Sequence, residues 1–357
     1  MRPATIVVTG GAGFVGSALA LDRKQSDPAA RVIAFDNLRR KGSELNLPRL
    51  EAAGVEFVRG DVRSTDDIAA LPACDLLIEC AAEPSVLASY GPDLRYVLDT
   101  NLVGTLNLLE YCREHGSKML FLSTSRVYPV ATLSGLRLVE TATRFELDGE
   151  QTIAGASARG ISEEFPLGGV RSIYGATKLA SEMFIEEYAA AHGLDAIVDR
   201  CGVLSGPWQM GKIDQGVVVL WVARHVYGGR LDYIGYGGTG KQVRDVLHID
   251  DLCDLVEIQL ARFESLRGGV FAVGGGRSCS TSLVELTDLC RRITGRTIEI
   301  GSTAENRPAD VPVYITDNSR IRSATGWTPA RSMEQIVTDV HDWILSAKDE
   351  LAPVLGG

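Results

Sequence analysis

The chain has 357 residues, 45% of them hydrophobic, and carries a formal net charge of −10. That size and composition allow a core of ordinary density in one large domain or two unequal ones. The acidic balance gives no electrostatic reason to bind phosphate backbones or anionic lipid, so we expect neither nucleic acid nor a membrane among the partners.

The seven cysteines lie in apolar stretches, with no CxxC pair and no histidine cluster at metal-ligand spacing. We interpret them as buried, reduced thiols and expect no metal site. The first residues enter a strand pattern at once, and no apolar run reaches the ~18 residues of a membrane span. The sequence therefore predicts a soluble cytoplasmic protein.

Short apolar strands alternate with helical stretches through the first two hundred residues. The predicted strands cover 5–10, 31–36, 55–61, 74–82, 118–125 and 194–204. Helical periodicity marks 94–116 and 174–193, and both segments end in His-Gly. This alternation predicts an α/β fold of the Rossmann type, a doubly wound parallel sheet covered on both faces.

The pattern loosens beyond residue 206, with helices predicted around 214–227, 250–264 and 282–294 and a glycine-rich turn at 236–242. We assign residues 1–200 and about 241–275 to the doubly wound domain. The remainder, about 201–240 and 276–357, forms a smaller, mixed α/β C-terminal substrate domain. Residues 129–172 are too long for a simple connection, and a hairpin and a lid both fit their turn signals.

The first predicted strand ends in "TGGAGFVG", residues 9–16, which leads into a helix. Glycines at this spacing permit a tight turn and a close approach of the backbone to a pyrophosphate, which the helix N-terminus attracts. A glycine-rich loop alone is a weak signal, but its place between a strand and a helix supports this interpretation. We predict that the dinucleotide contacts Gly10, Gly13, Phe14, Val15 and Gly16.

The second predicted strand ends in Asp36, twenty residues past Gly16. A carboxylate there accepts hydrogen bonds from the adenosine ribose and repels a ribose phosphate, which favours NAD over NADP. The basic run at 39–41 would instead attract a ribose phosphate and favour NADP; the alternative is that these residues form a solvated loop. Asp61 ends the third strand near the expected adenine amino group, although a turn aspartate is nearly as plausible.

The segment "RSIYGATKLASE", residues 171–182, places Tyr174 and Lys178 one helical turn apart. An ammonium group near a phenol favours the phenolate, and lowering a tyrosine pKa by ~3 units requires ~4 kcal/mol. Tyr174 then becomes a general base for a sugar or alcohol hydroxyl. By itself the pair more often marks an ordinary helix surface.

A further strand ends in "LSTSRVY", residues 122–128, which places three hydroxyl side chains at the carboxyl edge of the sheet. Ligands bind at this edge in doubly wound folds. Thr124 or Ser125 is therefore expected to hold the substrate oxygen or to relay its proton.

The chain resembles the extended short-chain dehydrogenases/reductases, also called the NAD-dependent epimerase/dehydratase family. The motifs "TGGAGFVG", "NLVGTLNLLE", "STSRVY", "YGATK" and "VRDVLHIDDL" occur in the family's order over nearly the whole chain. The resemblance implies Thr124 as the catalytic hydroxyl, Tyr174 as the base and Lys178 as a ligand of the nicotinamide ribose. It implies NAD as the cofactor, with further contacts from Asn37, Arg40, Val62, Ala81, Ala82 and Asn101.

The resemblance also implies a nucleotide-sugar substrate, with a CDP-sugar favoured. Arg244 and Arg307 would hold its pyrophosphate, because the planar guanidinium pairs with two phosphate oxygens; the alternative is two ordinary surface arginines. The remaining implied substrate contacts are Glu83, Ser125, Arg126 and Gln215. Two departures from the family pattern, Pro129 after Val-Tyr and Leu204 before Ser-Gly-Pro, lie at the substrate edge and affect specificity more than the hydride chemistry.

The implied reaction is epimerisation through a transient ketone, at C2 of the sugar, with C4 as the alternative. A 4,6-dehydratase typically has an Asp-Glu pair after the catalytic threonine, whereas this chain has Ser125 and Arg126. A non-catalytic dinucleotide-binding regulator is a third possibility, but such proteins tend to lose the tyrosine or the lysine.

A homodimer or homotetramer is implied as well. The helices at 94–116 and 174–193 would pair with their copies in a second subunit. Apolar side chains such as Leu108, Phe184 and Tyr188 fit that role, and each could equally face the sheet.

Overall fold

The computed structural model describes residues 3–211 and 215–356. Its strands are β1 (Thr5–Thr9), β2 (Arg31–Asp36), β3 (Glu56–Arg59), β4 (Leu76–Glu79), β5 (Lys118–Thr124), β6 (Leu138–Glu140), β7 (Phe145–Leu147), β8 (Ala156–Ser157), β9 (Gly160–Ile161), β10 (Ala196–Cys201), β11 (Val203–Ser205), β12 (Arg230–Ile234), β13 (Val243–His248), β14 (Val270–Val273), β15 (Ser280–Ser282), β16 (Glu299–Thr303) and β17 (Val313–Tyr314).

The α-helices are α1 (Phe14–Ser26), α2 (Leu47–Ala52), α3 (Thr65–Ala69), α4 (Leu94–Leu98), α5 (Gly104–His115), α6 (Val130–Ser134), α7 (Ile173–His192), α8 (Val217–Tyr227), α9 (Ile249–Ala261), α10 (Phe263–Leu266), α11 (Leu283–Thr294), α12 (Ser319–Thr325), α13 (Met333–Ser346) and α14 (Lys348–Leu355). A π-helical turn at Asp99–Val103 connects α4 to α5. Residue 214, where one predicted helix was to begin, lies outside the described residues.

A parallel sheet of seven strands forms the centre of the fold, in the order β3-β2-β1-β4-β5-β10-β14. Its apolar side chains are buried on both faces, as Val7 on one face and Val8 on the other show with no exposed surface. The strand order reverses between β1 and β4, which defines the switch point where ligands bind in such sheets. The predicted doubly wound α/β fold is confirmed.

The predicted strand at 194–204 is divided in the structure. β10 belongs to the seven-stranded sheet, whereas β11 pairs with β13 in a separate sheet. Gly202 separates the two strands, and its N–H donates to the carbonyl of Val273 at 2.8 Å. The apolar pattern continues through this residue, so periodicity alone does not reveal the change of sheet.

Of the two long helices predicted from the sequence, one forms a single helix and the other is interrupted. Helix α7 begins after Ser172, whose hydroxyl accepts a hydrogen bond from the Gly175 N–H at 3.1 Å, and it ends at Gly193 with φ +72°. These caps satisfy backbone groups that the helix leaves open at its ends. The other segment, 94–116, is interrupted by the π-helical turn, which sequence periodicity did not indicate. Such turns often accompany functional sites.

The chain folds into two compact units of nearly equal length. The first contains residues 1–127, 172–200 and 252–271, and the second contains 128–171, 201–251 and 272–357. This division differs from the one inferred from sequence, because residues 128–171 and 241–251 belong to the second unit. For the same reason the second unit is not the smaller one.

The second unit is a mixed α/β structure built around a four-stranded sheet. β13 lies at its centre and pairs with β11 and β17 in parallel and with β15 in antiparallel. Asp245 on β13 is fully buried and accepts hydrogen bonds from the N–H groups of Gly276 and Thr316 at 2.9 and 3.1 Å. The carboxylate thus joins three segments of this unit.

Residues 128–171 form helix α6 and two small hairpins, β6-β7 and β8-β9. The guanidinium of Arg144 lies between the carboxylates of Glu146 and Glu285. The N–H of Phe145 also donates to the carbonyl of Lys241 at 2.9 Å. Of the two structures that the sequence allowed, the hairpin is the one observed.

None of the helices within the described residues has both the length and the apolar character needed to cross a membrane. Six of the seven cysteines are buried, and Cys80 is half-buried.

A buried carboxyl group lies beneath the first unit's helices, at Asp199 on β10. It is fully buried, and its Oδ1 accepts a hydrogen bond from Nε2 of Gln259 at 2.8 Å. Within the described residues, Asp199 Oδ2 and Gln259 Oε1 have no hydrogen-bond partner. Burial raises the pKa of Asp199 to about 7. A proton on Oδ2 would supply the missing donor for Oε1 of Gln259.

Asp199→Asn should therefore flatten the dependence of stability on pH. In the wild type, the carboxyl group ionises above about pH 4 in the unfolded chain but stays protonated in the folded one. The free energy of unfolding therefore falls as the pH rises toward the folded pKa, by up to roughly 4 kcal/mol. An amide mimics the neutral acid and removes this loss. Thermal unfolding between about pH 5 and about pH 8 checks the prediction. Parallel curves for wild type and variant would contradict it.

Candidate active site

The loop from β1 to α1 forms a cradle of backbone atoms. Gly10 has φ +63°, and a Cβ there would lie 2.9 Å from the backbone nitrogen of Ala81. A Cβ on Gly16 would lie 2.1 Å from the carbonyl oxygen of Gly10. Gly13 begins α1 without a side-chain cap, so the first N–H groups of the helix remain available for an anion.

The residues next to this loop are buried or half-buried. Phe14 and Val15 form the first turn of α1 and are half-buried. Ala81 is nearly buried, and its N–H lies 3.4 Å from the Thr9 hydroxyl oxygen. Ala82 follows it and is half-buried. A pyrophosphate fits this arrangement because backbone donors approach it without side chains in between.

Asp36 ends β2, next to the loop. Its carboxylate accepts hydrogen bonds from the N–H groups of Leu38 at 2.7 Å and Ala12 at 3.2 Å. Burial raises the pKa of Asp36, and these backbone donors oppose that shift. The carboxylate therefore braces the phosphate loop, a role that sequence reasoning did not anticipate, and it can still accept from ribose hydroxyls through its remaining lone pairs.

Asp61 makes more hydrogen bonds than the sequence led us to expect. It accepts two hydrogen bonds from the Arg63 guanidinium, at 2.9 and 2.6 Å, and one from Nδ2 of Asn37 at 2.9 Å. Hydrogen bonding from Arg63 lowers the pKa of Asp61 to about 2. The neighbouring Val62 is buried in the core, and Arg40 is half-buried.

Tyr96 on α4 connects this region with the basic run. The guanidinium of Arg39 lies 3.9 Å from the centroid of its ring, and that of Arg63 lies 4.7 Å away. Both distances are within the range of a cation–π contact. Sequence reasoning missed Tyr96 and Arg63, since nothing in their spacing relates them to Asp61 or Arg39.

Asn101 lies in the π-helical turn and is fully buried. Its Nδ2 donates to the carbonyl of Glu83 at 3.1 Å, and its Oδ1 accepts from the N–H of the same residue at 2.8 Å. Its own carbonyl accepts from the hydroxyls of Thr105 and Ser181 at 3.0 and 3.1 Å. Asn101 therefore ties the loop after β4 to helices α5 and α7, and its contact with the cofactor stays a prediction.

Tyr174 and Lys178 lie one turn apart on α7 and are 8% and 2% exposed. The N–H of Tyr174 donates to the hydroxyl of Ser89 at 3.1 Å, which holds the start of the helix. Nζ of Lys178 lies 4.2 Å from the centroid of the Phe121 ring on β5. The start of α7 is thus held by Ser89 and by the contact of Lys178 with the middle of β5.

Thr124 is the last residue of β5 and is 7% exposed. Its Oγ1 accepts a hydrogen bond from the N–H of Arg126 at 3.2 Å, and a hydroxyl that accepts there can still donate to a ligand. Ser125 and Arg126 form the following 3₁₀ turn and are half-buried. Ser123, by contrast, donates to the carboxylate of Glu182 and has a structural role.

Helix α7 is anchored by a buried ion pair. Arg200 on β10 donates to Glu182 Oε2 through Nη2 at 2.7 Å and through Nε at 3.0 Å. Both side chains are less than one-tenth exposed. Because a buried charge without a partner is costly, this pair restricts any shift of α7 relative to the sheet.

The second unit contains the other predicted substrate residues. Nη2 of Arg244 lies 2.6 Å from Oδ1 of Asp310, and the N–H of Asp310 donates to the carbonyl of Arg307 at 3.2 Å. Asp310, which sequence reasoning missed, therefore contacts the side chain of Arg244 and the backbone of Arg307. Gln215 is half-buried.

Comparison with known proteins identifies relatives over nearly the whole chain. The model of the "NAD dependent epimerase/dehydratase family" matches residues 6–274. CDP-paratose 2-epimerase from Salmonella typhi is 32% identical, over 96% of this chain and 99% of its own. dTDP-glucose 4,6-dehydratase from Streptomyces antibioticus is 28% identical, over 95% of this chain and 91% of its own.

A solved structure agrees with these sequence matches. The UDP-glucose 4-epimerase of Thermus thermophilus, in complex with NAD, superposes with a TM-score of 0.75 at 26% identity, covering 96% of this chain and 99% of its own. The family is NAD-dependent, and NAD is the cofactor. The backbone cradle at Gly10–Gly16 and the carboxylate of Asp36 fit it.

Asp36→Asn should reduce the preference for NAD over NADP. The amide retains an acceptor for the Leu38 N–H but removes the charge that repels a ribose phosphate, so the ratio of the two dissociation constants should change by roughly tenfold. Isothermal titration with each dinucleotide measures this ratio. Asp66→Asn, on the exterior of α3, is the control. An unchanged ratio would mean that the ribose does not reach Asp36.

Proposed function

Because the chain belongs to the NAD dependent epimerase/dehydratase family, we propose that it is a nucleotide-sugar epimerase that inverts one sugar carbon through a transient ketone. C2 of a CDP-sugar of the CDP-paratose/CDP-tyvelose type is the favoured site of reaction. The observation that supports the proposal is that Tyr174 and Lys178 lie one turn apart and buried near the start of α7, with Nζ of Lys178 4.2 Å from the centroid of the Phe121 ring on β5.

Tyr174 acts as the general base in this proposal. It removes the proton of a sugar hydroxyl and later returns it, while the positive charge of Lys178 one turn away stabilises the phenolate. Thr124 donates a hydrogen bond to the same sugar oxygen and orients it. Bound NAD would supply what these residues lack, an acceptor and later donor for the hydride of the sugar carbon.

Inversion requires that the planar ketone present its second face before it is reduced. The sugar must therefore turn within the site while the nucleotide stays bound. In this scheme Arg244 and Arg307 hold the pyrophosphate and leave the sugar free to rotate. Nη2 of Arg244 donates to Oδ1 of Asp310 and to the carbonyl of Val311, and Nη1 donates to the carbonyl of Val243, so Arg244 reaches a phosphate only when some of these bonds are exchanged.

Dehydration is the less favoured activity. Removing water between neighbouring sugar carbons requires an acid and a base beside those carbons, in addition to the base at the oxidised oxygen. Ser125 and Arg126 follow Thr124 in this chain, and neither side chain carries a carboxyl group.

We also propose a homodimer formed by the long helices of the first unit. On α7, Met183 and Phe184 are 61% and 41% exposed, whereas Leu108 on α5 is fully buried and Tyr188 contacts Glu110. Leu108 thus packs into the core and does not serve the interface that its position suggested. Light scattering should give the mass of two or four chains, and the mass of one chain would contradict the proposal.

A panel of CDP-, UDP-, GDP- and dTDP-sugars, followed by proton NMR, tests the substrate. We expect inversion at C2 of a CDP-sugar with no net reduction of NAD, because hydrogen removed from the sugar returns to it. Inversion only at C4 would favour the 4-epimerase alternative. Loss of water or net oxidation would reject epimerisation.

Tyr174→Phe should lower kcat by roughly 10³-fold, since general base catalysis contributes about this factor. The ring remains, so the cofactor should still bind with nearly unchanged affinity. Tyr188→Phe is the matched control, because it removes a phenol from the same helix near its other end. Retained turnover in Tyr174→Phe would show that another group is the base.

A further inference from the structure

Glu79 is a buried carboxyl group that the proposed reaction does not use. It ends β4, in the middle of the apolar run "LLIECAA", and is 1% exposed. Its Oε1 accepts a hydrogen bond from the hydroxyl of Thr105 on α5 at 2.6 Å. Its Oε2 is also buried, and the described residues offer it no hydrogen-bond partner. A buried carboxyl oxygen in this state is rare and calls for a physical reason.

The sheet register places Glu79 near Lys178. Glu79 is the partner of Phe121 across the parallel strands β4 and β5, so the two side chains lie on the same face of the sheet. Nζ of Lys178 lies 4.2 Å from the centroid of the Phe121 ring. The carboxyl group and the ammonium group therefore share one buried region beneath α5 and α7. Burial raises the pKa of Glu79, and the charge of Lys178 opposes that shift.

The size of the desolvation cost explains why Lys178 needs a negative charge nearby. Removing an ion from water costs several kcal/mol, and burial alone favours a neutral lysine. The face of an aromatic ring stabilises a desolvated cation by about 2 kcal/mol. A full negative charge in the same low-dielectric region stabilises it by more. A neutral lysine could not stabilise the phenolate of Tyr174.

We propose that Glu79 is ionised and acts as the buried counter-ion that keeps Lys178 protonated, and that it thereby sets the pH range in which Tyr174 works as a base. This inference rests on the proposed function, because it takes Tyr174 and Lys178 as the acid–base pair. Glu79 is too deeply buried to touch a substrate, so it is a positioning residue that acts through Lys178.

The other titratable groups around this region do not supply the charge. Cys80, directly after β4, and Cys112 on α5 lie in the electric field of Glu79, and burial raises the pKa of both thiols, which keeps them neutral. Glu182 on α7 is already paired with Arg200 on β10. In the π-helical turn, the partly exposed Asp99 is paired with an exposed arginine, Arg95.

Glu79→Gln removes the charge while keeping nearly the same shape. The charge of Glu79 raises the pKa of Lys178 and of Tyr174, so its removal should move both limbs of the rate profile to lower pH. The alkaline limb reports loss of the lysine proton and should move by about one pH unit, which is a tenfold loss of kcat/KM on that limb. An unchanged profile would overturn the proposal, since glutamine is the isostere of a neutral Glu79.

Thr105→Ser is the matched control for this experiment. It removes a methyl group beside Glu79 but keeps the hydroxyl that donates to Oε1, so the carboxylate keeps its charge. We expect a loss of stability with little displacement of the alkaline limb. Equal displacement in both variants would show that packing, and not charge, is responsible.

Titration of Lys178 itself gives a readout that needs no substrate. The chain has seven lysines, so signals from lysine labelled with ¹³C at Cε can be followed by NMR in the NAD-loaded protein, with Lys178→Arg identifying the signal. We expect the wild-type midpoint at or above the ordinary value of ~10.4 and a midpoint lower by about one unit in Glu79→Gln.

A wild-type midpoint well below the ordinary lysine value would overturn the proposal without any variant of Glu79. This measurement also separates the two levels of inference. If Lys178 titrates as expected but no nucleotide sugar is turned over, the proposed function fails and the counter-ion stands. If turnover occurs and Lys178 does not respond to Glu79→Gln, the counter-ion fails alone.

Discussion

The burial of Lys178 to 2% exposure is a strong constraint on the structure of the first unit. An ammonium group in such a place is tolerated only when its surroundings are arranged to compensate it. The ring of Phe121 lies below it, and the buried ion pair of Glu182 with Arg200 holds the same helix against the sheet. Helix α7 therefore has little freedom to slide, and the position of Tyr174 one turn earlier follows from that of Lys178.

Contacts of the π-helical turn connect helix α7 with the region of the loop from β1 to α1. The extra residue in the turn directs the carbonyl of Asn101 toward the hydroxyls of Thr105 and Ser181, and its side chain toward the backbone of Glu83. The loop that contains Glu83 begins at Ala81, next to which Gly10 must approach without a Cβ. A single chain of contacts thus connects helix α7, the loop after β4 and the glycine loop.

The comparisons agree on the family and divide on the substrate. A 2-epimerase is 32% identical, a 4,6-dehydratase 28% and a solved 4-epimerase 26%. Thr124, Tyr174 and Lys178, to which we assign the oxidation of the sugar in our proposal, lie in the first unit. The hairpins of residues 128–171, which belong to the second unit, are the part least predictable from the family pattern.

The sequence by itself determined the doubly wound sheet, the glycine cradle, the bounds of α7 and the pairing of Tyr174 with Lys178, because each depends on a local period or spacing. It did not indicate the π-helical turn, the change of sheet at Gly202 or the contact of Arg244 with Asp310. Only the tertiary structure decided these, since they depend on residues distant in sequence that meet in space. Glu79 shows the difference most clearly: the sequence displays a charged residue inside a buried strand, but the register of β4 with β5 is what places it beside Lys178.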